Sequence, residues 1–358
     1  MKKKYGVTYG VLAAVALLLV ILHFSLASLV RHLLNENMAQ MGEYTGHVDE
    51  VGLYWWRGAY ELRGLVIEKS GGRVQAPLLR APVIDIAVSW RALWEQRALV
   101  AVVSFTSPEL TFVDAKDAES RQVGEGVDWR ETLQEQLPIT LNELRIIDGV
   151  LAFRNFSTDP QVNLYASNVD LLVRNLGTAE DLEGTRDATL EGTADFLGHA
   201  PLEVQAAFDP LVRMEDFGFR LRVSGVDLPR LNDFASAYAN FDFQAGTGEL
   251  VTEAAVEGGE LQGYIKPLLR NVEIFNFEQD ISNADKGLLR GLWEAVVGGG
   301  ETLLKNQRKD QLATRVSLGG TLNDTEVSPL QAFFGILRNG FIEAFNSGFD
   351  DRQGEGSP

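Results

Sequence analysis

The chain has 358 residues, 45% of them hydrophobic, with 35 glycines, no cysteine and a formal net charge of −18. The first 31 residues hold four basic groups and no acids, so residue 32 onward carries 28 basic against 50 acidic side chains, a net of −22. That balance is a poor match for nucleic acid or an anionic lipid surface, and the missing cysteines exclude disulfides and thiolate chemistry.

Residues 1–5 include Lys2, Lys3 and Lys4, and the 25 residues from Gly6 to Val30 follow without a charge. At about 1.5 Å per residue, roughly 20 apolar residues cross a bilayer core. Lysines before the run and an acidic chain after it predict a transmembrane helix over 6–30, with the N-terminus cytoplasmic and the bulk outside. Ser25-Leu26-Ala27 has the small-x-small form of a signal cleavage site. A signal h-region spans only about 7–15 residues, however, so an uncleaved anchor is the expectation. A mature product starting at Ser28 would reverse it.

Residues 31–46 read as a helical extension or linker, with Leu33, Leu34, Met38 and Met41 near helical spacing and Gly42 and Gly46 as breaks. In Tyr54-Trp55-Trp56-Arg57, packing at the start of the first sheet is expected, with an interfacial aromatic girdle as the alternative. From His47 the texture becomes short alternating segments between Gly, Pro, Asn and Asp, which predicts a β domain over 47–277. Leu202, Val204, Ala206 and Phe208 share a face, as do Phe217, Phe219, Leu221 and Val223, and Leu250, Thr252, Ala254 and Val256. One apolar face at a period of two is the mark of an antiparallel sheet with one buried side. Asp148-Gly149 and Gly258-Gly259 are expected to turn hairpins. About fifteen strands at ~4.8 Å would make a sheet roughly 70 Å long.

Helices are few. Asp128–Glu131 resembles a capping box, and Leu228, Leu231, Phe234 and Tyr238 share a face of a short helix with Pro229 in its first turn. Residues 278–350 are expected to hold C-terminal helices with one or two strands, on the stripes Leu288–Val297 and Leu330–Phe345. Residues 351–358 form a polar, disordered tail.

Catalytic motifs are absent. Of four histidines, His23 and His32 sit in or beside the apolar run, and His47 and His199 have no metal spacing. Gly298–Gly300 lacks the Lys-Ser/Thr of a phosphate loop. No carboxylate pair stands out, so no cofactor, no metal and no enzyme activity are expected, an envelope hydrolase being the weakest alternative.

The succession Gly64-Leu65-Val66-Ile67, Pro77–Ile86, Ser89-Trp90-Arg91-Ala92-Leu93-Trp94 and Phe105–Leu110 resembles the start of AsmA-like proteins, bacterial relatives of bridge-like lipid-transfer proteins. Leu144–Phe153, Val226–Asn232 and the C-terminal helical stretches are similar to later parts of the same family. The resemblance implies a mainly β protein with a few helices, built on an elongated, twisted, antiparallel, groove- or taco-like sheet whose concave face holds acyl chains. It implies a bacterial inner-membrane protein with a periplasmic domain that binds or transfers phospholipid or another acyl-chain lipid, without covalent catalysis. A periplasmic scaffold for envelope proteins is the alternative. Val204, Phe208, Phe217, Phe219, Leu221, Leu250 and Val256 are the candidate groove residues, each either groove lining or ordinary core.

Overall fold

The computed structural model describes residues 12, 14, 17, 25–39, 41–71, 73–88, 100–115, 117, 119–124, 140–176, 188–208, 217–239, 242–257, 260–275, 311–313 and 316–321. The protein is mainly β. In chain order the strands are β1 (Tyr44–His47), β2 (Glu50–Tyr54), β3 (Ala59–Lys69), β4 (Leu79–Val88), β5 (Val100–Thr106), β6 (Glu109–Val113), β7 (Thr140–Asn155) and β8 (Val162–Arg174). Then come β9 (Ala188–Phe196), β10 (Ala200–Phe208), β11 (Phe217–Asp227), β12 (Asp242–Glu257), β13 (Glu260–Phe275), β14 (Gln311–Ala313) and β15 (Val316–Thr321). Residues 25–38 form helix α1, and a 3-10 turn at Leu228–Leu231 leads into α2 (Asn232–Ala239), where the shared face and Pro229 place them.

All fifteen strands belong to one sheet, but three lanes are each shared by two short strands: β1 with β2, β5 with β6, and β14 with β15. Twelve lanes at ~4.8 Å span about 53 Å, less than fifteen separate lanes would. The sheet is also mixed rather than purely antiparallel, because β7 runs parallel to β5 and β6. A parallel neighbour needs a crossover of a dozen or more residues, and residues 114–139 supply it.

The Asp148-Gly149 hairpin is not there. Both residues lie inside β7, where Asp148 takes φ 55° and forms a bulge instead of a turn. Gly258-Gly259 does separate strands joined two residues apart, with Glu257 paired to Glu260. Val272–Phe277, which reads as a strand of its own, begins as the second half of β13 after a bulge at Asn271 (φ 51°).

These bulges are aligned. Gly64 in β3, Ser107 between β5 and β6, Asp148 in β7, Asn168 in β8, Gly225 in β11, Gly246 in β12 and Asn271 in β13 all have positive φ at neighbouring positions of the ladder. Glycine, or Asn and Asp with their local hydrogen bonds, tolerates that conformation. An extra residue moves the apolar set from even to odd numbers or back: Leu62 becomes Leu65, Ile146 becomes Leu151, Val223 becomes Val226. One face therefore stays apolar across the seam while each strand bends and twists more strongly there.

The first core cluster lies under β1–β6. Met38, Met41, Tyr44 and Val48 are buried there with Leu65, Ile67, Ile84, Ile86 and Phe112. Met38, Met41 and Tyr44, from the stretch read as a helical extension or linker, thus belong to the β domain's core. Asn35 fixes the end of α1, donating from Nδ2 to the Val48 carbonyl at 3.1 Å and accepting the Val48 N–H at 2.8 Å. Most of the expected anchor, the Asp128 helix, the Ser89–Trp94 turn, the C-terminal helices and the tail fall outside the described residues.

Candidate functional site

The period-two patterns of separate strands combine into ladders across the sheet. One runs Leu62, Ile84, Phe105, Ile146, Leu171 and Gly192 over β3, β4, β5, β7, β8 and β9. It continues as Val204, Leu221, Thr252, Ile265 and Val316 over β10, β11, β12, β13 and β15. A second ladder, two residues along each strand, starts at Tyr60 and Ile86 and passes through Ala206, Phe219 and Ala254. Between them lies the opposite face, with Glu61 beside Asp85 and Gln205 beside Arg220 and Glu253. One side of eleven strands is apolar over its width, and the other is polar.

All seven candidate residues lie on the apolar side of β10, β11 and β12. Phe208 pairs with Phe217, and Phe217 with Val256; Val204 pairs with Leu221 two rungs further along, past Ala206 and Phe219. Leu250 completes the group opposite Val223. Val256 is buried and the other six are half-buried, while Glu203, Gln205 and Arg220 behind them are exposed. The sequence misses Tyr60, Leu62, Ile84 and Phe105 as members of the same face, since nothing in a single strand reveals its register with a distant one. Gly192 and Gly263 sit on this face too. A Cβ on Gly263 would lie 2.7 Å from Ala254 Cα, so only glycine lets β12 and β13 pair there.

Among the described residues no second sheet lies over this face; the strands contact their lane neighbours. Beyond the seam the Leu228–Ala239 segment covers one end of it, as Met38 of α1 and the Met41–Val48 stretch do under β1–β6. Leu228 rests over Gly246 and Gly248, where added Cβ atoms would each come within 2.9 Å of it. Leu228, Ala235 and Phe243 form a small core with Leu231, Leu269 and Val272. Arg230 Nη1 donates to the Leu197 carbonyl at 2.8 Å at the β9–β10 turn. At the far end of α2, the Tyr238 hydroxyl donates to Asp114 Oδ2 at 2.7 Å and accepts from Asn155 Nδ2 at 2.8 Å. The segment therefore bridges β12 to the ends of β6 and β7 across the apolar face.

Among the described residues of the two ladders, the polar side chains are Tyr60 and Thr252. Burial alone pushes the Tyr60 phenol up to about 12, so it is neutral at any physiological pH. Thr252 is 1% exposed and its Oγ1 has no hydrogen-bond partner. Among the described residues no group of three or more His, Asp or Glu side chains could hold a metal ion. His199 serves a turn, facing the Leu197 carbonyl through Nδ1 and accepting the Asp227 N–H at Nε2.

At the other end, α1 presents Leu26, Leu29 and Leu33 to the outside, and Leu12 and Leu17 are exposed as well. No helix among the described residues is long and apolar enough to cross a membrane. At the β2–β3 connection Tyr54 is half-buried and Trp56 is 64% exposed. Neither protein-family models nor curated proteins provide a match to this chain.

Proposed function

We propose that this is a membrane-anchored, extracytoplasmic lipid-binding protein whose apolar sheet face receives acyl chains and which performs no covalent chemistry. The observation that carries this is the apolar ladder, in register over eleven strands, with no second sheet over it among the described residues. Apolar surface on that scale is stable in water only when a partner or ligand occupies it. A seam of bulges that bends the strands suits a groove, with the half-buried apolar side chains on its concave side and the exposed charges outside. The AsmA-like succession of motifs supports the same fold, an anchor at 6–30 and a periplasmic location for the β domain.

The groove contacts are apolar, so recognition would rest on acyl-chain length and number more than on headgroup chemistry. Lipid extracted from the gently purified full chain should appear in the mass spectrum at a defined ratio to protein. Phe219→Asp with Leu221→Asp places two carboxylates in the face and should remove most of that lipid while circular dichroism stays unchanged. A stably folded wild-type protein free of lipid, carrying a stoichiometric protein partner, would replace this proposal with an envelope scaffold.

A further inference from the structure

We propose that the β2–β3 tip, Tyr54–Arg57, seats in the interfacial layer of the same bilayer that the N-terminal helix crosses, giving the protein a second membrane contact beside its anchor. This rests on the anchor at 6–30 proposed above.

The direction of the tip follows from three contacts. A Cβ on Gly46 would lie 3.2 Å from Met38 Cβ, Asn35 pairs with Val48, and Arg31 Nη1 donates to the Asp49 carbonyl at 3.1 Å. From residue 38 to 31 the helix rises about 10 Å, and from 46 to 49 the strand advances about 10 Å. Helix α1 therefore runs antiparallel to β1, and its N-terminal end points the way β1 and β2 travel. From Asp49 the chain continues about 16 Å to Tyr54. Helix α1 from Arg31 back to Ser25 covers about 9 Å in the same direction, so the tip lies toward the level at which the apolar run leaves the domain.

The chemistry of the tip suits that level. Trp56 is 64% exposed, its ring edge-on to Tyr54 at 5.4 Å. The Arg57 guanidinium lies 4.7 Å over the Tyr54 ring and pairs with Asp85 at 2.6 Å. Amphipathic rings beside a cation already matched by a carboxylate favour the headgroup layer without depending on anionic lipid. The consequence is positional. Tyr60 and Leu62, the first rungs of the apolar ladders, follow the tip within six residues. A helix and a tip together hold that end of the face against the bilayer, so an acyl chain leaving the membrane meets these rungs first.

The chain has no native cysteine, so a single introduced one can be labelled uniquely. Full-length Arg57→Cys, Ser70→Cys and Leu17→Cys proteins would each carry an environment-sensitive fluorophore. They would be reconstituted into phosphatidylethanolamine–phosphatidylglycerol vesicles with nitroxide lipids labelled at the headgroup or at mid-chain. Ser70 follows β3 at its other end, about 30 Å from the tip. The expected result is blue-shifted emission at position 57 with strong loss on headgroup quencher, none at 70, and mid-chain quenching at 17. Trp56→Ser in the position-57 protein should at least halve the quenching there. If position 57 behaves like 70 while 17 is quenched, the tip contact is overturned and the anchor stands. If 17 is unquenched as well, both fall.

Discussion

Tyr238 and Asp114, 124 residues apart in sequence, share a hydrogen bond of 2.7 Å that ties helix α2 to the chain just after β6. Asn155 donates to the same hydroxyl, and its amide nitrogen has no other acceptor among the described contacts. Tyr238→Phe should leave a largely buried amide unpaired and cost about 1–2 kcal/mol. Hydrogen exchange should quicken over residues 228–239 and stay unchanged in β3 and β4. Uniform quickening over the whole sheet would mean that α2 is not a separable cover.

Strand faces were largely legible in the sequence, and their order was not. Alternation in Leu202–Phe208 and Phe217–Val223 identifies β10, β11 and the shared apolar side, because a half-buried strand imposes a period of two. The same rule misleads at the seam. Asp148-Gly149 has the composition of a hairpin turn and the phase of the apolar residues changes across it, yet the strand continues past the bulge. A positive-φ residue can reverse a chain or bulge a strand, and only the partner strands decide which. Asn271 hides the continuity of β13 in the same way. The candidate residues came from three neighbouring strands, the region without a crossover. The rungs on β3–β5 lie beyond a parallel connection that local pattern does not specify.

The Asn35–Val48 pairing makes a second prediction. Val48 is 2% exposed, and both of its backbone polar groups are satisfied by one side chain. Asn35→Leu would strand a buried donor and acceptor at a cost of at least about 2 kcal/mol. Asn35→Asp keeps the acceptor for the Val48 N–H and should fall between. Urea denaturation of the three proteins gives the order, and equal stabilities would show that the Asn35–Val48 pairing adds nothing to the docking of α1.

Tyr60 makes stability depend on alkaline pH. Its phenol is held neutral by burial, with a folded pKa of about 12 against an unfolded value of 10.0. Above pH 10 the unfolded chain releases this proton while the folded one keeps it, so stability falls as pH rises from 10 towards 12. The loss is of order 2 kcal/mol for this group, all of the contribution being present below pH 10. Tyr60→Phe should remove that part of the slope, leaving that of the other titrating groups. Unfolding free energies of the two proteins at pH 9 and pH 11.5 measure the difference.

Thr252 gives the sharpest test of how dry the apolar face is. Its hydroxyl stands on the ladder between Leu221 and Ile265, almost fully buried and without a partner. An unpaired buried hydroxyl carries its desolvation cost uncompensated, so Thr252→Val, which replaces it by a methyl of similar size, should stabilise the protein by about 1 kcal/mol. Acyl chains have nothing to offer that hydroxyl, so the lipid-to-protein ratio should stay level or rise. A loss of stability together with a loss of bound lipid would instead mean that Oγ1 contacts a polar group of the ligand, such as an ester carbonyl, in the loaded protein. A loss of stability alone would place a water there. Calorimetry and lipid mass spectrometry on one preparation separate the three results.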